Sequence, residues 1–127
     1  FEVKNSNVFS APSDLSISLR WIAIMAERVN CDLAASTGVH DGAALIKQLL
    51  AGADAVQVAS TLYQNGKGQI GEMLKTLEEW MVGKGYGSLS DFRGKMSQAK
   101  SSNPAAYERA QFMKYFGGKK QKDPDPA

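Results

Sequence analysis

Cys31-Asp32-Leu33-Ala34-Ala35 runs into Ser36-Thr37-Gly38-Val39, and Ala55-Val56-Gln57-Val58 runs into Ala59-Ser60-Thr61-Leu62-Tyr63. Both are short apolar runs that end in small, hydroxyl-bearing or glycine residues. Between them Asp41 stands at an N-cap position before Gly42-Ala43-Ala44-Leu45-Ile46-Lys47-Gln48-Leu49-Leu50, and Gly52 is the matching stop. The distance from Ala35 to Ala55 leaves room for one crossover helix. The stretch therefore predicts one βαβ unit with neighbouring parallel strands, Leu33 to Ala35 and Ala55 to Ala59. The C-terminal ends of two such strands offer backbone N–H groups and hydroxyls to a single anion, and a phosphate suits them. This is a binding site without visible chemistry.

Working outward, Ile17, Trp21, Ile22, Ile24, Met25 and Val29 fall near a 3.6-residue period, which predicts a helix over 16–29 started by Pro12-Ser13-Asp14. Downstream, Tyr63 to Gly68 reads as a loop. Ile70, Met73, Leu74, Leu77, Trp80 and Met81 then mark an amphipathic helix that ends near Gly83. Ser88 with Asp91 resembles a capping box opening a short helix through Phe92 and Met96, and Asn103-Pro104 opens a last helix through Tyr107, Phe112 and Tyr115. No internal repeat is present. Two parallel strands do not make an independent fold, because their outer edges would leave backbone groups unpaired along apolar segments. The chain reads as the closing portion of a larger barrel. It begins at Phe1 with no initiator Met, which fits the same expectation.

Composition sets the class. The chain has 127 residues, 43% hydrophobic and 22% charged, enough for one modest core. Fifteen basic and 13 acidic side chains give a formal charge of +2, with no field that argues for nucleic acid or an anionic membrane. Lys119, Lys120 and Lys122 cluster in a Gly, Lys, Asp and Pro tail, read as a solvated terminus. One cysteine excludes an internal disulfide and fits a reducing, cytoplasmic setting. No run reaches membrane-spanning length, and no signal peptide is visible.

The candidate chemistry outside the two turns is sparse. Cys31 reads as a small hydrophobe at the start of a buried strand, because no His or basic partner adjoins it. His40 reads as a solvated loop residue that is placed to face a phosphate. Asp32 with Asp41, and Glu78 with Glu79, receive no catalytic role, and no metal site is expected. Met73, Trp80 and Met81 are core packing.

Ser36-Thr37-Gly38-Val39, Asp41-Gly42, Leu49-Leu50-Ala51-Gly52-Ala53 and Val56-Gln57-Val58-Ala59-Ser60-Thr61 together resemble the dihydroorotate dehydrogenase family. Phe9-Ser10-Ala11-Pro12 followed by Leu19-Arg20 looks like that family's Ser-Gly-Pro loop and the helix after it. The resemblance covers about Phe9 to Tyr63, and Ile70 to Val82 fits the barrel's last helix. It implies an α/β chain forming the C-terminal portion of an FMN-binding TIM (β/α)8 barrel, with 1–116 in the barrel domain and 117–127 a flexible tail. The phosphate of FMN would sit against Ser36, Thr37, Gly38, Ala59, Ser60 and Thr61, with Ser10 and Ala11 nearby. Thr37 and Ala59 stand where the family usually carries Gly, which implies altered contacts at a site that is kept.

The same resemblance implies the oxidation of dihydroorotate to orotate in pyrimidine biosynthesis, in the cytoplasm and in a homo-oligomer. The proton-abstracting residue would lie on a loop outside this chain. An isolated segment is expected to be inactive, to hold FMN weakly, and to pair with the remaining N-terminal part of the barrel or with itself. A reading of another class stays open beside it: a non-catalytic phosphate-binding or self-associating interaction fragment.

Overall fold

The computed structural model describes residues 9–108. The part of the expected last helix beyond Glu108, with Phe112 and Tyr115, lies outside the described residues, as does the tail with Lys119, Lys120 and Lys122. What is described is a helix-rich mixed α/β unit: α1 (Leu15–Met25), β1 (Ala34–Ala35), α2 (Gly42–Ala51), β2 (Ala55–Val56), α3 (Ser60–Asn65) and α4 (Gln69–Lys84). The chain is helical again at residues 105–108, where the described part ends.

The central βαβ unit forms as expected. β1 and β2 pair in parallel, with Ala34 opposite Ala55 and Ala35 opposite Val56. Gln57 N–H donates to the Ala35 carbonyl at 2.8 Å, and the Leu33 carbonyl accepts from both Asp54 and Ala55. The strands are shorter than the apolar runs that predicted them. A ladder extends only where two strands lie side by side, and each of these has one neighbour among the described residues. Cys31 is corrected: it is exposed at a bend ahead of β1, not buried on a strand.

Local signals set the helix ends. Asp41 caps α2 by accepting the Ala44 N–H at 2.8 Å. Gly52, at φ 119°, closes it in the left-handed conformation, its N–H shared between the Gln48 and Leu49 carbonyls. Ahead of α1 a 3-10 turn, Pro12–Asp14, brings the Asp14 carboxylate onto the Ala11 N–H at 2.8 Å.

α2 and α4 pack closely because Gly42 admits Thr76 into the space a Cβ would fill. Along their interface lie two apolar clusters. One, Val39, Ala44 and Met73, sits at the end where the strands finish. The other, Ile46, Leu49, Leu77 and Phe92, sits at the opposite end.

Three further expectations change. The predicted loop from Tyr63 to Gly68 is partly helical, since α3 spans Ser60–Asn65. Its six residues carry no apolar periodicity that could have announced it. α4 passes through Gly83 and stops at Gly85, at φ 74°. The Ser88 and Asp91 signal yields only a 3-10 turn, Leu89–Asp91, instead of a helix to Met96, because Gly94 at φ 75° turns the chain back. There the Gly94 N–H donates to the Leu49 carbonyl at 3.0 Å and the Met96 N–H to Leu50 at 2.8 Å. The segment after α4 is thereby stitched to the end of α2.

Candidate functional site

The turns that follow β1 and β2 stand side by side because the strands are parallel and adjacent. The loop before α1 reaches them from 28 and 50 residues away in sequence. Ser10 donates its N–H to Ser60 Oγ at 2.9 Å and its hydroxyl to the same oxygen at 3.3 Å. Ser10 Oγ in turn accepts the Gly38 N–H at 3.2 Å. Three of the sequence-predicted residues, from three separate stretches, thus form one hydrogen-bonded group.

Ser60 Oγ receives both of those bonds and keeps its own proton. That proton has no acceptor among the described residues, although Ser60 is buried. Ser60 and Thr61 also open α3, where the first N–H groups have no partner inside the helix. Donors outnumber acceptors here, which is the chemistry an anion requires.

Thr61 acts differently from the sequence reading. Its side chain is fully buried, and its hydroxyl donates to the His40 carbonyl at 2.9 Å while accepting from Asn65 at 3.1 Å. Only its N–H is left for a ligand. The Ala11 N–H is likewise held by Asp14. Ala59 is exposed at the N-cap position of α3, and Ser36 is exposed with its carbonyl bound by Ser18.

His40 is more than a solvated loop residue. Its Nε2 lies 2.9 Å from the Ser10 carbonyl, which can only accept, so that nitrogen carries the proton. Its own carbonyl accepts from Thr61 and from Gln69 Nε2, the latter at 2.9 Å. His40 therefore ties the loop before α1 to α3 and α4. Its place directly between Val39 and the capping Asp41 was the available signal. Gln69 and Ser18 gave none. Gln48 did, as a polar residue on the buried stripe Ala44, Gln48, Ala51 of α2.

Thr37 and Gly38 both have positive φ, 78° and 80°. A Cβ at Gly38 would collide with the backbone of Asp14 and Leu15, so the turn lies directly on the start of α1. A β-branched residue at such a φ is a true outlier, and outliers of this kind gather at functional sites. Among the described residues, no cluster of three or more His, Cys, Asp and Glu side chains could hold a metal ion. No described helix is long and apolar enough to cross a membrane.

No protein-family model matches the chain. Curated relatives do. Over 61 residues it is 39% identical to the "Probable dihydroorotate dehydrogenase A (fumarate)" of Enterococcus faecalis, a match covering 48% of this chain and 20% of that protein. Over 59 residues it is 42% identical to the protein of the same name from Streptococcus pneumoniae, covering 46% and 19%. The "Dihydroorotate dehydrogenase A (fumarate)" of Lactococcus lactis subsp. cremoris is 37% identical over 59 residues, again 46% and 19%. The match spans about a fifth of the length of these relatives, which are oxidoreductases by name.

Proposed function

We propose that this chain is the closing part of a (β/α)8 barrel in an FMN-dependent oxidoreductase that converts dihydroorotate to orotate. Residues 1–116 belong to that barrel and 117–127 to its tail. The observation that carries the reading is the convergence of Ser10, Gly38 and Ser60 at the C-terminal ends of two adjacent parallel strands. In barrels of this kind that is where phosphate groups are held. The names of the relatives supply the reaction.

In this reading the N–H groups of Thr37, Ser60 and Thr61 and the Ser60 hydroxyl hold the FMN phosphate. Ser36 and Ala59 flank it, and Ser10 and Ala11 brace it from the loop before α1. FMN supplies the two-electron acceptor for the substrate's hydride. This chain orients one end of the cofactor. The group that takes the substrate proton belongs to another part of the protein, so no residue described here is catalytic. The setting is pyrimidine biosynthesis in the cytoplasm, in a homo-oligomer.

The exposed apolar side chains beside the free edge of β1 support the barrel. Ile17 and Trp21 of α1 are each 44% exposed there, next to Ala34. Preceding strand and helix units would cover them. The isolated chain is accordingly expected to self-associate in sedimentation and to bind FMN weakly. Monomeric behaviour with tight FMN binding would contradict the barrel reading. For the whole protein the expected result is a yellow, FMN-containing enzyme that oxidises dihydroorotate. A colourless protein that takes up no FMN and leaves dihydroorotate intact would overturn the assignment.

A further inference from the structure

Thr37 is the one residue other than glycine with positive φ among the described residues. Threonine resists that conformation, so the surrounding structure must hold it there. Two peptide planes flank Thr37, and both are tied. The Ser36 carbonyl accepts the Ser18 hydroxyl at 2.6 Å. On the other side the Gly38 N–H donates to Ser10 Oγ at 3.2 Å.

Behind Ser18 stands Gln48, fully buried on α2, whose Nε2 donates to Ser18 Oγ at 3.0 Å. Ser18 has a single proton and gives it to Ser36, so it must accept from the amide. This fixes which way the amide points. It leaves Gln48 Oε1 buried with no partner. An unsatisfied buried carbonyl is destabilising, a penalty that a methionine of similar volume would avoid. Gln48 is therefore a poor packing residue and a good hydrogen-bond donor to Ser18.

We propose that Gln48 and Ser18 are positioning residues, a relay from α2 through α1 that fixes the Ser36–Thr37 peptide plane and keeps Thr37 left-handed. With Ser10 fixing the next plane, the turn is clamped on both sides. The Thr37 N–H is then held in place before an anion arrives, which spares the ligand the cost of ordering it. The inference deepens the FMN reading, and rests on it only for what the turn binds.

A variant set in the whole protein tests it: Ser18→Ala, Gln48→Met, Thr37→Gly, and Ser18→Ala combined with Thr37→Gly. Two readouts are taken, hydrogen exchange of the 36–40 segment without ligand and the dissociation constant for FMN. Ser18→Ala and Gln48→Met are expected to speed exchange about tenfold and to weaken FMN by a similar factor. Gln48→Met keeps the packing and removes the unpartnered carbonyl, so its global melting temperature should not fall. With glycine at 37, which adopts the conformation unaided, adding Ser18→Ala should change either readout less than about threefold.

Equal effects of Ser18→Ala with threonine and with glycine at 37 overturn the relay. So does unchanged exchange in Gln48→Met. Coupled exchange in a protein that binds no FMN supports the relay and sinks the flavin reading instead.

Discussion

The two ends of the βαβ unit are built on opposite terms. Where the strands finish, the apolar cluster of Val39, Ala44 and Met73 is topped by a polar, strained layer: a left-handed threonine, a buried serine with a proton to spare, and a histidine carbonyl holding two hydrogen bonds. Where they begin, it is apolar and closed. Phe92 is fully buried, its ring 4.9 Å from Trp80 and 5.3 Å from Tyr86, against Ile46, Leu49 and Leu77. Asp54 seals that end, one oxygen accepting the Leu33 N–H at 2.9 Å and the other 3.4 Å from Arg93. One end keeps donors available at a cost in stability, and the other supplies stability, leaving the buried Arg93 Nε without a partner among the described residues. Such a division fits the barrel proposed above, in which ligands bind at one face only.

The largest effect expected from this contrast is at Phe92. Phe92→Ala removes the centre of the aromatic cluster and should lower stability by about 3–5 kcal/mol. Remaining folded molecules should bind FMN as before, because the substitution lies at the end away from the turns. Calorimetry and flavin titration in the whole protein check both halves, and a parallel loss of FMN affinity would erase the distinction between the ends. Gly38→Ala is the counterpart at the other end. Its Cβ would lie 2.6 Å from Leu15 Cα at a φ that alanine disfavours, so a loss of about 2–4 kcal/mol is expected. Here FMN binding should collapse together with stability. Unaltered FMN binding in Gly38→Ala would mean that the turn is not the phosphate site.

The same contrast explains what could be read from the sequence. Elements fixed by local chemistry were legible: the Asp41 cap, the Gly52 stop, and the parallel strands they separate. The turn at Thr37-Gly38 was legible as well, because small polar residues follow an apolar run, whereas Ser60 and Thr61 open a helix instead of a turn. What could not be read depends on contacts distant in sequence. The Ser10 to Ser60 bond spans 50 residues and the Arg93 to Asp54 pair 39, and neither leaves a periodic trace. The segment after α4 misled for a related reason. Its turn signal at Ser88 and Asp91 promised a helix, but Gly94 and the carbonyls of Leu49 and Leu50 in the last turn of α2 offered its backbone other partners. Cys31 heads the apolar run in sequence but stays outside the strand, because the pairing with β2 starts only at Ala34.

The smallest predicted effect belongs to Asp91, at the stable end beside Phe92. Its carboxylate accepts the Gly87 N–H at 2.8 Å and the Ser88 N–H at 3.0 Å, and these bonds hold its pKa below the ordinary 3.8. A carboxyl group with a depressed folded pKa stabilises the fold fully above its unfolded value. That contribution fades as pH falls through the folded one. Asp91→Asn keeps one accepting oxygen but loses the charge. The variant should therefore be slightly less stable than the parent at pH 7, and the gap should close below about pH 4. Because the group is exposed, added salt should narrow the gap as well. Denaturation curves from pH 7 to pH 3 measure it. A gap that stays constant across that range would mean that Asp91 acts through hydrogen-bond geometry alone, and that the closed end owes nothing to charge at this turn.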